Sequence, residues 1–315
     1  MTVIRADVLG FCMGVRRAVD LTTAEVKRAE KNGSSVYTLG QLIHNQRVLG
    51  ELRVLGVRAA GELPENGENS SVIIRAHGIS PVIEKKIRQS NYHVVDATCP
   101  NVKSNQLKAR ELIRAGYSLF IAGDANHAEI TGILGYAQDA DAQDADAQMS
   151  FCETAGSAEE AGKAAEKLYS KNNNAKTAII AQTTICEEEF YSIRDAVKKY
   201  FPLLETVNTI CAATKDRQNA LRGLLNQADA VIIAGGKESA NTLRLLAIAN
   251  DSGKPCALCE SAADIPAQYF CSFEKIGLCA GASTPGAVID EIEQALQNSA
   301  DCAETGYATP RIRPL

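Results

Sequence analysis

The chain has no tryptophan, and aromatic residues make up 5% of its 315 positions. Single-stranded nucleic acid is gripped by aromatic platforms on which bases stack, so this scarcity argues against such a ligand. Positive charge is not in excess either. Lys and Arg number 33 against 38 Asp and Glu, a formal net charge of -5. A protein that binds a phosphate backbone needs the opposite balance, although a local basic pocket stays compatible with this one. No apolar run approaches the roughly 18 residues that a membrane span requires, so none is expected. The first residues, MTVIRADVLGFCMG, lack the basic stretch and long apolar core of an export signal. The expected location is the cytoplasm. There, ten cysteines are expected as thiols, metal ligands or core filler rather than as disulfides.

What is present is an alternation. Hydrophobic residues at 45% and charged residues at 23% are ordinary for a globular protein, and the length suits one large domain or two to three ordinary ones. Short apolar runs predict strands at 2–8, 35–40, 71–77, 93–98, 118–123, 176–184, 230–236 and 275–283. Helical patterns fill 14–31, 80–90, 100–115, 156–171, 187–200, 215–227, 239–252 and 285–297. Such an order implies an α/β fold with parallel sheets, whose ligands gather at the carboxyl ends of the strands. The run AQDADAQDADAQ at 137–148 shows no apolar face. It is expected as a solvated loop or frayed helix, since an acidic metal loop would need glycines and a closing Glu.

Three cysteines share one setting. In VLGFCMGVRRAVD, VDATCPNVKSNQL and VNTICAATKDRQN, an extended stretch ends at Cys12, Cys99 or Cys211 and a helical one follows. Each has a basic residue four positions on: Arg16, Lys103 and Lys215. Separations of 87 and 112 residues suggest one cysteine per domain-sized unit, three units in all. A helix start exposes unpaired N–H groups and partial positive charge, which favours thiolate. Pro100 suits a first helical position. One such cysteine would be unremarkable core filler at a turn; three in matching contexts ask for a common reason. Cys152, Cys186, Cys271 and Cys302 sit in polar surroundings, and Cys279 sits inside an apolar strand. Cys256 and Cys259 form a CxxC in a strand-like run, where residues three apart face opposite ways. Three thiolates could hold zinc with a fourth ligand or water. They could also hold a [4Fe–4S] cluster with one open iron, a Lewis acid toward substrate oxygen.

Of four histidines, three lie at strand-end turns: His44, His77 and His127. A lone histidine there is ordinary surface; three in equivalent places suggest one shared pocket. His93 lies in a strand pattern and reads as structural. Glu129, two residues past His127, could deliver protons, or could simply favour a helix start. GGKESANTLRL at 235–245 places Ser239 and Asn241 at a helix start after a Gly-Gly turn, and AGASTPG at 280–286 places Ser283 before another. Each alone is a helix cap. Together they suit a diphosphate bound by N–H groups and small polar side chains.

The ordered set GFCMGVRRAV, LIHNQRV, RAHGIS, DATCPNV, HAEI, QTT, NTICAATKDRQ, GGKESANTLRL and AGASTPG resembles the 4-hydroxy-3-methylbut-2-enyl diphosphate reductase family, over about residues 3–297. The resemblance implies three pseudo-symmetric α/β units, with small, mainly parallel sheets, around a central iron–sulfur cluster. The expected division is 1–97 with Cys12, His44 and His77; 98–206 with Cys99, His127 and Glu129; 207–284 with Cys211, Ser239 and Asn241; and 285–315 as a C-terminal helix and tail.

The resemblance also implies that Cys12, Cys99 and Cys211 hold one [4Fe–4S] cluster and leave one iron open. His44, His77, His127, Thr183, Thr214, Ser239, Asn241 and Ser283 would bind the allylic diphosphate. Glu129, Thr183 and His127 would serve catalysis. The substrate's allylic hydroxyl would meet the open iron. Two electrons and two protons would then remove it as water, giving isopentenyl and dimethylallyl diphosphates at the last step of the methylerythritol phosphate route. The implied electron donor is a ferredoxin or flavodoxin; no nucleic acid or membrane is implied. The family commonly has a serine where this chain has Ala240, and the AQDAD repeat replaces a short connection.

Two rivals remain at this stage. His127-Ala128-Glu129 and Pro255-Cys256-Ala257-Leu258-Cys259 spell the parts of a zinc deaminase signature, but about 126 residues separate them. An iron–sulfur sensor or carrier would not need a phosphate pocket. Cys211→Ser is expected to lose bound iron and sulfide on anaerobic purification, whereas Cys259→Ser keeps them. Equal loss in both variants would remove the case for three special cysteines.

Overall fold

The computed structural model describes residues 1–142, 151–266 and 270–303. In chain order the elements are β1 (Thr2–Arg5), α1 (Met13–Asn32), β2 (Ser35–Leu39), α2 (Gln46–Val54), β3 (Val57–Ala60), β4 (Ser70–Ile74), α3 (Pro81–Gln89) and β5 (His93–Asp96). There follow α4 (Pro100–Arg114), β6 (Ser118–Ala122), α5 (Ala128–Ala142), β7 (Cys152–Ala155), α6 (Ala158–Lys171), β8 (Thr177–Ala181), α7 (Glu187–Lys198) and β9 (Glu205–Thr206). The last are α8 (Ala212–Leu225), β10 (Ala230–Ala234), α9 (Ala240–Asp251), β11 (Cys256–Cys259), β12 (Lys275–Ala280) and α10 (Gly286–Ala303).

These strands form three four-stranded sheets in which each neighbouring pair is parallel. The orders are β3-β2-β4-β5, β7-β6-β8-β9 and β11-β10-β12-β1. Each has the same internal logic. The first strand of a unit lies second, its helix crosses to an edge strand on one side, and the remaining two strands extend the other side. In the third sheet the chain's N-terminus supplies the fourth strand, with Thr2 opposite Lys275.

The central strands are apolar from end to end because helices cover both their faces. On the β7-β6-β8-β9 sheet, Phe120, Ala122, Ile179 and Ala181 pack on Ala161, Leu168, Phe190, Ile193 and Val197 of α6 and α7. The alternate residues Leu119, Ile121, Ala178 and Ile180 pack on Ala109, Leu112, Ile130 and Ile133 of α4 and α5. The third sheet divides likewise: Ile232, Leu278 and Ala280 face α10, while Val231, Ile233 and Cys279 face α8 and α9. Period-2 alternation in each strand makes both cores.

By contacts the chain forms two lobes. The smaller comprises Met1–Cys12, His44–Gln46 and the chain from Ala213 onward, and holds the β11-β10-β12-β1 sheet. The larger comprises Met13–Ile43 and Arg47–Ala212, and holds the other two sheets.

Several expectations are corrected. Three strands (β3, β7, β9) and two helices (α2, α5) lie outside the predicted runs. The first part of the AQDAD repeat is helical and does own an apolar face: Ala137 and Ala140 are buried in the core beneath α5. Residues 143–148 lie outside the described residues. The expected division at 97/98 gave Cys12 to the first unit and Cys99 to the second. Strand pairing instead attaches Cys12 to the strand of the third sheet, and Cys99 follows β5 of the first sheet. Each cysteine thus closes a sheet rather than opening one. Among the described residues, no helix is long and apolar enough to cross a membrane.

Candidate functional site

The predicted residues lie beyond the carboxyl ends of the strands of their own sheets. In each sheet the second and third strands of the spatial order send their loops to opposite sides, which is where an open α/β sheet leaves a crevice. His44, His127 and Ser239 each stand five residues past the end of β2, β6 or β10. His77 and Ser283 stand three residues past β4 and β12, and Thr183 two past β8. Three unlike sequences therefore offer polar groups at matching positions.

The fourth strand of each sheet leads to a cysteine. Cys12 directly precedes α1, Cys99 caps α4 ahead of Pro100, and Cys211 directly precedes α8. All three are half-buried. Their backbone N–H groups make the same hydrogen bond. Cys99 donates to the Ala76 carbonyl at 2.9 Å, Cys211 to Thr183 at 3.0 Å and Cys12 to Ala282 at 3.0 Å. Each acceptor lies two residues past the end of the adjacent third strand. Thr183 is itself a predicted site residue, and Ala76 and Ala282 immediately precede His77 and Ser283. The bond that fixes a cysteine also fixes a loop carrying a polar candidate.

In the larger lobe, Glu129 is buried, 1% exposed, on the first turn of α5. One carboxylate oxygen accepts the Thr183 N–H at 2.8 Å, and the other accepts the Thr183 hydroxyl at 2.7 Å. A helix-start Glu held only by the dipole would be solvated; this one is aimed inward. Its backbone N–H donates to Nδ1 of His127 at 3.2 Å, so a neutral His127 ring carries its proton on Nε2. The His77 and His127 rings meet edge to face, with centroids 5.2 Å apart.

In the smaller lobe, Ser239 caps α9, its hydroxyl oxygen accepting the Thr242 N–H at 3.4 Å. Asn241 is buried, and its Nδ2 has no hydrogen-bond partner among the described residues. The Ser283 hydroxyl donates to the His44 carbonyl at 3.0 Å. Thr214 is buried on the first turn of α8. Ala240 begins α9 and brings no side-chain donor. Gly236 needs its missing side chain: a Cβ there would lie 2.5 Å from the His44 carbonyl oxygen. The Gly-Gly turn read as a phosphate feature is thus also a steric one.

The other cysteines separate from these three. Burial pushes the Cys259 and Cys279 thiols up to about 12 and raises that of Cys256. The CxxC pair does lie on a strand, and neither thiol favours the ionised form a metal needs. Cys186 is buried at the start of α7, not in polar surroundings as expected; its N–H donates to Glu189. Cys302 falls outside the described side chains.

Sequence reasoning missed Asn105 and Gln182. Asn105, buried on α4, donates from Nδ2 to the Ala181 carbonyl at 2.7 Å and lies 3.5 Å from a Glu129 oxygen. The Gln182 side chain accepts the Asp124 N–H at 2.9 Å and donates to Thr184, bracing the loop that carries His127. The one available signal was spacing: Asn105 and Arg217 both stand six residues past a cysteine.

Comparison with known proteins follows the same residues. The family model described as LytB protein matches residues 3–297. A 4-hydroxy-3-methylbut-2-enyl diphosphate reductase of Treponema denticola is 42% identical over 300 residues, covering 94% of this chain and 99% of that relative. The structure of the E-1-hydroxy-2-methyl-but-2-enyl-4-diphosphate reductase from Plasmodium falciparum superposes with a TM-score of 0.83 at 26% identity, covering 94% of this chain and 88% of that one. A structure of (E)-4-hydroxy-3-methyl-but-2-enyl diphosphate reductase, described as the terminal enzyme of the non-mevalonate pathway, gives 0.67 at 34% identity, covering 95% and 100%.

Gly236→Ala is expected to lower stability by about 1–3 kcal/mol, the usual cost of overpacking, because the obstructing atom is backbone. Thermal unfolding measures it. An unchanged melting temperature would contradict the close approach.

Proposed function

Since the chain belongs to the LytB protein family, we propose that it reductively dehydroxylates (E)-4-hydroxy-3-methylbut-2-enyl diphosphate. This is the terminal step of the non-mevalonate route to isoprenoids. The chain is an oxidoreductase: two electrons and two protons turn the substrate into isopentenyl and dimethylallyl diphosphates and water. The observation that carries the reading is the repeated cysteine position, with one half-buried cysteine at a helix start beyond each sheet.

That donor set fits an iron–sulfur group. Thiolate is the rule for such ligands, and each of the three cysteines stands directly before a helix. When bound by Cys12, Cys99 and Cys211, a [4Fe–4S] cluster would supply the electrons and leave one iron open as a Lewis acid. A ferredoxin or flavodoxin would deliver those electrons, in the reducing cytoplasm where thiols persist.

The rest falls to the chain's own groups. Asn241 offers a buried, unsatisfied amide donor, which is costly unless a ligand accepts from it. Ser239 at the start of α9 adds N–H groups and dipole, the setting that favours a phosphate. Ser283, His44, His77 and His127 supply further donors, and Thr214 lines the substrate site. Ala240 leaves its backbone N–H alone to serve where relatives add a hydroxyl. Glu129 is the proton store. Both its oxygens accept from Thr183, so a proton on the carboxyl can pass through the Thr183 hydroxyl without any side chain moving far. His127 shares the same turn and orients through its Nδ1.

Under a strong one-electron reductant, the anaerobic, iron-loaded protein is expected to consume the allylic diphosphate. Glu129→Gln keeps the shape and, through its amide oxygen, the contact from the Thr183 N–H, while its NH2 donates to the Thr183 hydroxyl instead of accepting from it; it cannot carry the proton. Its turnover is expected to fall about 10²-fold or more, the scale of general acid catalysis, with iron content unchanged. Normal turnover in that variant would refute the proton role; no turnover by loaded unaltered protein would refute the activity.

A further inference from the structure

Three polar side chains outside the proposed chemistry form a pattern. α1 follows Cys12, and its Arg17 donates to the carbonyls of Asp96 and Thr98 at 3.2 and 3.1 Å. These are backbone groups of the loop that presents Cys99. α4 follows Cys99, and its Asn105 donates to the carbonyl of Ala181, the last residue of β8, at 2.7 Å; the same carbonyl accepts the hydroxyl of Thr209 at 2.6 Å, in the loop that presents Cys211. Asn101, also on α4, reaches Cys211 Sγ at 3.0 Å. α8 follows Cys211, and its Arg217 donates to the Gly10 carbonyl at 2.6 Å, two residues ahead of Cys12. The three side chains stand five, six and six residues past their own cysteines.

We propose that Arg17, Asn105 and Arg217 are positioning residues, each helix that leaves one cysteine holding the loop that presents the next, in the order 12, 99, 211 and back to 12. The loops have local closures of their own. Asp96 accepts the Thr98 N–H at 2.9 Å and Asn208 accepts the Ile210 N–H at 3.1 Å, while Gly10 turns the chain at a φ of +79°. The added donors therefore place loops rather than fold them. Arginine suits the task because its planar fork reaches two carbonyls at once. Arg217 is buried, 3% exposed, and makes no ion pair among the described residues; its guanidinium bonds go to the carbonyls of Ala213 and Gly10. A buried cation without a counter-ion is costly unless hydrogen-bonded, and two backbone carbonyls supply those bonds. The consequence is coupling: disturbing one helix should loosen the loop of a cysteine remote in the chain and spare the one beside it.

The inference rests on these cysteines being cluster ligands, and its test separates the two claims. Full-length Arg17→Met and Arg17→Lys are compared with the unaltered protein. Amide hydrogen exchange is read on the metal-free forms, and iron release to a chelator on the anaerobically loaded forms. In Arg17→Met, amides of 96–99 are expected to exchange about tenfold faster, while those of 10–12 keep their rate. Iron release accelerates about tenfold, and Arg17→Lys, which keeps the charge but not the two-carbonyl fork, restores only part of both. Asn105→Leu supplies an independent signature, with faster exchange at 181–183 and 209–211 and none at 96–99. Unchanged or chain-wide exchange in both variants would overturn the positioning claim, even with iron loss. Failure of the unaltered protein to take up iron and sulfide would overturn the ligand assignment, and the exchange pattern alone would then decide the positioning.

Discussion

One hydrogen bond, made three times, organises this protein. Beyond the end of each sheet the ladder stops, and a backbone N–H there would lack a partner. The N–H of Cys12, Cys99 or Cys211 instead donates to a carbonyl two residues past the neighbouring strand. Such a bond is worth only about 0.5–1.5 kcal/mol net, so its importance is geometric. It fixes a cysteine at a helix start and, through the same peptide, the loop carrying Thr183, His77 or Ser283.

Each sheet adds the same crevice at its change of loop direction, and the three crevices are furnished differently. The larger lobe brings His77, His127, and Glu129 with Thr183, a set suited to moving protons. The smaller brings His44, Thr214, Ser239, Asn241 and Ser283, a set suited to holding an anion. Pseudo-symmetry supplies the positions, and under the proposed function residue choice would supply the division of labour.

Much of this was legible in the sequence. The central strands announce themselves as continuous apolar runs such as AIIA and AVIIA because both faces are covered. Pro81 and Pro100 mark helix starts. The comparison of cysteine contexts picked out three of ten without any structure. The misses share a cause. Edge strands β3 and β7 have four residues with half-polar faces, and β9 has two, too few for periodicity to register. The alanines under α5 were hidden inside an acidic repeat. The pairing of β1 with β12 joins residues more than 270 positions apart and leaves no local mark. That is why each cysteine was expected to open a unit when it closes one. The clamps of Arg17 and Arg217 were illegible for the same reason: their acceptors are backbone carbonyls, and composition carries no trace of those.

The central claim is that three cysteines, one at the end of each sheet, hold a single cluster with one iron free of protein ligands. Mössbauer spectroscopy of anaerobically purified, iron-57-loaded protein, with iron and sulfide counted per chain, tests it most directly. The account predicts about four irons and four sulfides per chain, with one iron spectrally distinct from the other three and responsive to added allylic diphosphate. Zinc in place of iron, or four equivalent irons indifferent to the diphosphate, would contradict it.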